Sequence, residues 1–146
     1  MLFVVDTNIL LYAADKNAAE HNLCRKLLLS WRSQAFPWYL TYGIVYEFLR
    51  VSTHPRVFRK PFTLANSWGF IQALMASESL SIITETKNHA LVASEVFETI
   101  PNISGNLIFD ARTAILMREH GIKTIYTRDN DFHKFPFLKV IDPLQN

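Results

Sequence analysis

Five carboxylates occupy positions from which they could act together in metal-dependent chemistry. Asp6 directly follows an apolar run at the N-terminus, and Asp129 and Asp131 follow another apolar run. Glu47 lies in a segment otherwise rich in apolar residues, and Asp110 lies at the start of a helix-like segment. Carboxylates brought within about 4 Å repel one another by roughly 4 kcal/mol at an effective dielectric of about 20. A bound divalent cation removes that repulsion, so the set predicts a metal site.

The donor types narrow the cation and the chemistry. Oxygen-only ligands favour Mg²⁺ or Mn²⁺, whereas zinc prefers histidine and cysteine. The five histidines show no metal-binding spacing, and the one cysteine, Cys24, is interpreted as buried packing. Magnesium held by a few carboxylates, with several waters retained, suits phosphate chemistry. Each acid has a structural alternative when taken singly: Asp110 could complement a helix dipole and Asp6 could support a turn.

A phosphotransfer domain of the receiver or haloacid-dehalogenase type would also place acids at strand ends. The dehalogenase pattern needs a second aspartate two residues after the first, where this chain has Asn8. A receiver needs an acidic pair after its first strand and a lysine after a late one, and neither is present. Phosphotransfer therefore remains an alternative without a matching motif.

The elements that would position these acids alternate between strand and helix. Short apolar or β-branched runs predict strands at 2–5, 38–40, 80–84, 123–127 and 138–141. Helical spacing predicts helices at about 18–32, 41–53, 63–75 and 107–120, with a further apolar stripe at 91–100. The alternation indicates an α/β domain with a mainly parallel sheet. Carboxyl ends of parallel strands share one edge, where ligands bind, so Asp6 and Asp129 should meet there.

Composition limits the class of protein. The 146 residues, 49% of them apolar, suit one folded domain over 1–146, and no leader or membrane span is evident at the start. A single cysteine favours a reducing compartment, hence the cytoplasm.

Net charge is +2, but without the five acids eight acidic residues face 15 basic ones, as expected for binding a polyanion. The basic residues that could contact such a polyanion are Arg50, Arg56, Arg59, Lys60, Arg128 and Lys134. Phe58 and Phe62 are either aromatic platforms for the same ligand or core.

Four segments of the chain carry a family resemblance: Val-Asp-Thr-Asn-Ile-Leu at 5–10, Tyr-Glu-Phe-Leu-Arg-Val at 46–51, Phe-Asp-Ala at 109–111 and Thr-Arg-Asp-Asn-Asp-Phe at 127–132. Together they resemble the PIN-domain ribonucleases, and within that family the VapC toxins of VapBC toxin–antitoxin pairs. The resemblance implies a three-layer α/β/α domain and metal-dependent, endonucleolytic cleavage of RNA. It also implies Mg²⁺ or Mn²⁺ as cofactor, a homodimer, and a VapB-type antitoxin that blocks the pocket.

The same resemblance assigns roles to individual residues. The catalytic set would be Asp6, Glu47, Asp110 and Asp129, and the metal ligands would be Asp6, Asp110, Asp129 and Asp131. Thr127 and Asn8 would support the pocket. Arg112 departs from the small or polar residue common in the family, and we expect it to be a solvated helix residue because i,i+2 positions do not share a face. A non-catalytic, PIN-like RNA-binding module is the remaining alternative.

Overall fold

The computed structural model describes residues 1–145 and contains five strands and six helices in alternation. The strands are β1 (Phe3–Val5), β2 (Trp38–Thr41), β3 (Leu80–Ile83), β4 (Thr124–Tyr126) and β5 (Lys139–Ile141). The helices are α1 (Thr7–Ala14), α2 (His21–Ser33), α3 (Tyr42–Ser52), α4 (Leu64–Met75), α5 (His89–Thr99) and α6 (Leu107–Glu119). A short 3₁₀ helix spans Asn130–Lys134.

The strands form one parallel sheet in the order β3-β2-β1-β4-β5. The chain builds outward from β1 through β2 to β3, then returns to add β4 on the other side of β1. The direction of winding therefore reverses between β1 and β4. Open parallel sheets form ligand sites at such a reversal, beyond the carboxyl ends of the strands. The predicted α/β class with helices covering a parallel sheet is confirmed.

The sheet is buried by apolar side chains from helices on both faces, as the continuous apolar runs predicted. Val4, Val5, Leu40 and Ile125 are fully buried. An aromatic cluster packs beside them, in which the Phe3 ring lies 5.2 Å from that of Trp31 and 4.9 Å from that of Tyr126, centroid to centroid. This core holds β1 and β4 rigidly side by side, and the acids follow these two strands.

Side-chain caps fix where the helices begin. Asp6 accepts a hydrogen bond from the backbone nitrogen of Thr7 at the start of α1. Thr41 caps α3, because its hydroxyl accepts a hydrogen bond from the backbone nitrogen of Ile44. Gly121 ends α6 with φ of 69°, a left-handed conformation that glycine adopts without strain. Asp6 directly follows β1 and caps α1, so both elements fix the position of its side chain in space.

Two local predictions differ from the structure. The second helix begins at His21 rather than near residue 18, because residues 15–20 form turns in which the Asp15 side chain accepts a bond from the Asn17 nitrogen. The apolar spacing predicts Leu91 in a buried stripe, but it is 63% exposed, and Val96 is the buried residue of α5. His89 in the same turn contacts Glu119 of α6, so this turn does pack against the neighbouring helix, and Leu91 lies on the open face of α5.

Two further assignments are settled by burial. Cys24 is buried, and this burial raises the pKa of its thiol to about 11, so it fits packing rather than nucleophilic chemistry. Phe58 is also buried and packs edge-on against Phe62, with ring centroids 5.5 Å apart. Of its two interpretations, Phe58 is therefore a core residue and not a platform for bases. Within residues 1–145, no helix is both long and apolar enough to cross a bilayer.

Candidate active site

All five predicted acids line one open cavity of about 950 Å³ at the carboxyl edge of the sheet. They come from four places in the chain: the end of β1, helix α3, the first turn of α6, and the segment after β4. The cavity lies where the winding of the sheet reverses. The structure thus brings together Asp6 and Asp129, which the sheet edge predicted, with Glu47, Asp110 and Asp131.

Asp6 is the most constrained of the acids. It is 7% exposed, and its Oδ1 accepts a 2.8 Å bond from the Thr7 nitrogen. Its Oδ2 accepts a 2.7 Å bond from the Thr127 hydroxyl and a longer one, 3.4 Å, from the Asn8 amide. These donors fix the orientation of the carboxylate before any ligand arrives.

Thr127 and Asn8, the predicted supporting residues, form a shared network beneath the cavity. The Thr127 hydroxyl accepts bonds from the Asn8 amide at 3.0 Å and from the Asp129 backbone nitrogen at 2.9 Å, while donating to Asp6. Asn8 in turn accepts a bond from the Arg128 backbone nitrogen. One hydroxyl therefore connects the acid that follows β1 to the acid that follows β4.

Asp110, Asp129 and Asp131 offer carboxylate oxygens that all lie within 4.8 Å of one another. Ligands that share a magnesium ion at about 2.1 Å are at most roughly 4.2 Å apart, so this spacing suits a cation held partly directly and partly through water. The donor set is all oxygen, which fits Mg²⁺ or Mn²⁺. Lys134 lies 4.0 Å from Asp131 on the exposed side of the group. Asp6, also expected to be a metal ligand, lines the cavity outside this three-carboxylate group.

Glu47 lies in the cavity on the exposed side of α3. Its Oε2 accepts a 3.2 Å bond from the hydroxyl of Thr7, which also contacts the Ile44 carbonyl. The neighbouring side chains of Ile44 and Phe48 are buried, so the helix presents Glu47 on its open face. A carboxylate held by one donor and open to solvent is placed to accept a proton from water.

Burial and the neighbouring negative charges raise the pKa values of two of the acids, Asp110 and Asp6. Burial, together with the charges of Asp129, Asp6 and other nearby acids, raises the pKa of Asp110 to about 7. Burial raises the pKa of Asp6 to about 6, although the bonds from Thr127 and Thr7 oppose that rise. A cation would lower both pKa values and relieve the repulsion.

Of the six predicted RNA-binding residues, only Arg50 lines the cavity. Arg56, Arg59 and Lys60 are exposed on the loop between α3 and α4. The Arg128 guanidinium instead pairs with Glu20 at 3.3 Å and Asp142 at 3.5 Å. The structure does not bring these other cations into the cavity.

Arg112 is half-exposed, as expected, but it also lines the cavity beside Asp110. Its guanidinium donates two bonds to one oxygen of Glu85, at 2.8 and 3.3 Å. The i,i+2 rule describes where Cβ atoms point, whereas a long arginine stem reaches well beyond its own face. Glu85 follows β3 at the same sheet edge, so it holds the guanidinium at the cavity mouth.

Three exposed aromatic residues in the cavity were missed at the sequence level. Tyr42, Tyr46 and Phe109 all line it. The signal that could have found two of them is their position, since Tyr46 directly precedes Glu47 and Phe109 directly precedes Asp110. Phe58 and Phe62, the aromatic residues that the sequence offered as platforms, do not line the cavity.

Comparison with known proteins gives one family. A family model described as PIN domain matches residues 3–138. Ribonuclease VapC24 of Mycobacterium tuberculosis is 30% identical over 145 residues, covering 96% of this chain and 95% of the relative. Ribonuclease VapC48 of the same species is 28% identical over 138 residues, covering 94% of each.

Solved structures with the same fold agree. The VapBC2 structure from Rickettsia felis, bound to a DNA fragment from its promoter, matches with a TM-score of 0.65, 19% identity and coverage of 97% and 98%. The M. tuberculosis toxin VapC20, described as cleaving the sarcin-ricin loop, matches with a TM-score of 0.63, 19% identity and coverage of 90% and 92%. At these identities the structures support the fold alone.

Proposed function

The chain belongs to the PIN-domain family, with VapC ribonucleases among its relatives, and on that premise we propose that it is a VapC-type toxin that cleaves RNA endonucleolytically with Mg²⁺ or Mn²⁺. The observation that carries the proposal is the convergence of five carboxylates from four separate parts of the chain on one cavity. Bringing so many negative charges together is unfavourable, and such clusters of like charge are typical of active sites, where a bound divalent cation would offset the repulsion.

In the proposed site, Asp110, Asp129 and Asp131 would hold the cation, and Asp6, which lines the same cavity, would be a further ligand. When bound, the cation supplies a water of lowered pKa and offsets charge on the phosphate. Glu47 accepts the proton of the attacking water, because its carboxylate is open to the cavity. Arg50 and Arg112 contact phosphate oxygens at the rim, since both line the same cavity.

The alternatives have less support. A non-catalytic RNA-binding module has no need of the acids, yet all five line the cavity and Asp6 is fixed by three donors. A phosphotransfer domain needs an acidic pair or a second aspartate after β1, and Thr7 and Asn8 follow Asp6 instead. Hydrolysis of a phosphodiester fits the residues better than either.

The proposed setting follows from the same family membership. Residues 1–146 form one PIN domain, of which residue 146 lies outside the described part. The substrate is RNA, the partners are a VapB-type antitoxin and a second copy of the chain, and the location is the cytoplasm. VapBC structures from Salmonella typhimurium and Rickettsia felis share the fold, and the antitoxin is proposed as partner because VapC ribonucleases are among the relatives of this chain.

The test is cleavage of an RNA panel by the purified protein with Mg²⁺, with Mn²⁺, or with EDTA. We expect cleavage with either ion and none with EDTA. Asp6→Asn and Asp110→Asn should each lower the rate about 100-fold or more, as when a charge-stabilising group is removed from an active site. Asp15→Asn, outside the cavity, is the matched control and should cleave normally. Metal-independent cleavage, or equal rates for the cavity variants, would overturn the mechanism.

A further inference from the structure

The two most exposed aromatic side chains among residues 1–145 both lie in the acidic cavity. Phe109 is 70% exposed and Tyr46 is 68% exposed. Each directly precedes a proposed active-site acid, and one residue along a helix is a rotation of about 100°. The two rings therefore flank the carboxylates rather than cover them.

These rings differ from the paired aromatic side chains of the core. Phe3, Trp31, Trp38 and Tyr126 pack in one cluster with centroid separations of 4.9–6.4 Å. Within residues 1–145, neither Tyr46 nor Phe109 stacks on another aromatic ring. Exposed apolar surface of this kind, placed against a site, typically marks a surface that another molecule covers.

We propose that Tyr46 and Phe109 stack on unpaired bases next to the scissile phosphate, so that the enzyme selects single-stranded RNA. The inference rests on the proposed ribonuclease function and adds two binding residues to it. The acids fix where the reacting phosphate lies, and the adjacent rings meet the bases on either side of it. Stacking on an aromatic ring tolerates any base, because every base has a π face.

The charges around the rings favour a nucleic acid over a protein as the occupant. Arg50 and Arg112 line the same cavity as the two rings, and cations beside aromatic rings suit the backbone and the bases of a single strand. A base inside a duplex already has both faces stacked and offers none to a side chain. The arrangement therefore predicts discrimination between single-stranded and duplex RNA of the same sequence.

The experiment measures binding of a fluorescein-labelled, mixed-sequence RNA oligonucleotide in the presence of Ca²⁺, which takes oxygen ligands as Mg²⁺ does. Phe109→Ala and Tyr46→Ala should each weaken binding about fivefold or more, the effect expected for loss of one stacked base. Phe109→Leu and Tyr46→Leu, which keep apolar area without a π face, should weaken it as well. Phe36→Ala is the matched control, because Phe36 is 64% exposed but outside the cavity.

Two further readouts separate stacking from a structural role. With Mn²⁺, the alanine variants should raise KM for single-stranded RNA with little change in kcat, and their thermal stabilisation by Mn²⁺ should equal that of wild type. RNA carrying 2-aminopurine should show fluorescence quenching on binding wild type, and that quenching should be reduced in the Phe109→Ala complex. Wild type should cleave single strands in preference to duplexes.

Failure of this inference is distinguishable from failure of the proposed function. If wild type cleaves no RNA with either metal, the ribonuclease proposal falls. If wild type cleaves but the ring variants bind and cleave as it does, or the leucine variants retain full binding, stacking is overturned. The ring variants could instead change the oligomeric state or lose only antitoxin binding. In that case a protein partner covers the two rings, and stacking on RNA is likewise overturned.

Discussion

The Thr127 hydroxyl is the atom on which the geometry of the site most depends. It is buried, donates to Asp6, and accepts from Asn8 and from the Asp129 backbone nitrogen. These contacts use its one proton and both lone pairs. A single hydroxyl therefore sets the distance between acids that are more than 120 residues apart in sequence.

Replacing this hydroxyl by a methyl group should damage catalysis more than folding. Thr127→Val keeps the shape but leaves Asp6 without its shortest donor, so we expect a 10- to 100-fold loss of metal-dependent cleavage, roughly the range for residues that orient ligands. Thr127→Ser should retain most activity. Thr124→Val, a buried threonine of the preceding strand outside the cavity, is the control. Activity of Thr127→Val equal to wild type would show that the network is dispensable.

The raised pKa values of Asp110 and Asp6 predict how metal binding depends on pH. Both pKa values lie above the ordinary 3.8, at about 7 and about 6. The folded, metal-free protein therefore holds protons that the unfolded chain releases, and its stability should fall as pH rises from about 4 to about 7. Protons also compete with the cation for these oxygens.

The increase in melting temperature caused by Mn²⁺ should consequently be larger at about pH 8 than at about pH 5. Differential scanning fluorimetry with and without Mn²⁺ measures it directly. Asp110→Asn removes the group with the higher pKa, so its Mn²⁺ effect should be smaller at both pH values. If the stabilisation of wild type by Mn²⁺ does not change with pH, protons and Mn²⁺ do not compete for the same carboxylate oxygens, and the prediction is wrong.

At the scale of elements, most of the frame is predictable from sequence because apolar spacing reports burial directly. The parallel sheet followed from alternating short runs and helical stripes, and its carboxyl edge then placed Asp6 and Asp129 together. The Arg112 contact was not predictable, because its direction depends on Glu85, which a separate loop brings to the same edge. Nor does spacing distinguish Asp6 from the three acids whose oxygens group most closely, since that depends on side-chain rotamers.

Helix α6 presents Arg112 to the cavity, so its contribution should be to substrate rather than to stability. Exposed ion pairs contribute at most about 1 kcal/mol to folding. Arg112→Ala should raise KM for RNA about tenfold, equivalent to roughly 1.4 kcal/mol, with a small change in melting temperature. Arg118→Ala, on the same helix and 4.0 Å from Glu95, is the control. An unchanged KM for Arg112→Ala would show that Arg112 does not contact the RNA.

Glu119, whose side chain is buried at the C-terminal end of α6, links this helix to α5. Glu119 accepts bonds from the Thr86 nitrogen and hydroxyl through one oxygen, and its second oxygen lies 2.6 Å from His89 Nδ1. Although burial of the carboxylate acts in the opposite direction, the bonds from His89 and Thr86 hold the pKa of Glu119 below its usual value. The stabilisation they give is present above the ordinary pKa of the carboxyl group and is lost as pH falls through the lowered one.

Glu119→Gln should therefore lower the free energy of unfolding by about 1–3 kcal/mol near neutral pH. The difference from wild type should shrink in acid, where the wild-type carboxyl also becomes neutral. Urea unfolding at two pH values measures both effects, and RNA cleavage well below the melting temperature should be unchanged. Glu98→Gln, exposed on α5, is the control. A loss of cleavage in folded Glu119→Gln protein would contradict a purely stabilising role.

For the molecule as a whole, charge is segregated rather than balanced. Five of the 13 acidic residues line one cavity, while the 15 basic residues lie mostly on the exposed surface. Such a field attracts a polyanion to the rim and a cation to the cavity. Arg128, by contrast, is already neutralised by Glu20 and Asp142. Exposed cations therefore differ in what they can offer to RNA.

Salt dependence of RNA binding tests which cations bind the backbone. For single strands, the slope of log K against log salt becomes shallower by about 0.7 for each phosphate that the protein no longer neutralises. If the loop between α3 and α4 reaches the RNA, the combined variant Arg56→Gln, Arg59→Gln, Lys60→Gln should reduce the slope by about 2. Arg128→Gln should leave it nearly unchanged, because that guanidinium is already paired. A triple variant with the wild-type slope would confine phosphate binding to the cavity cations, whereas a large effect of Arg128→Gln would mean that RNA displaces Glu20 and Asp142.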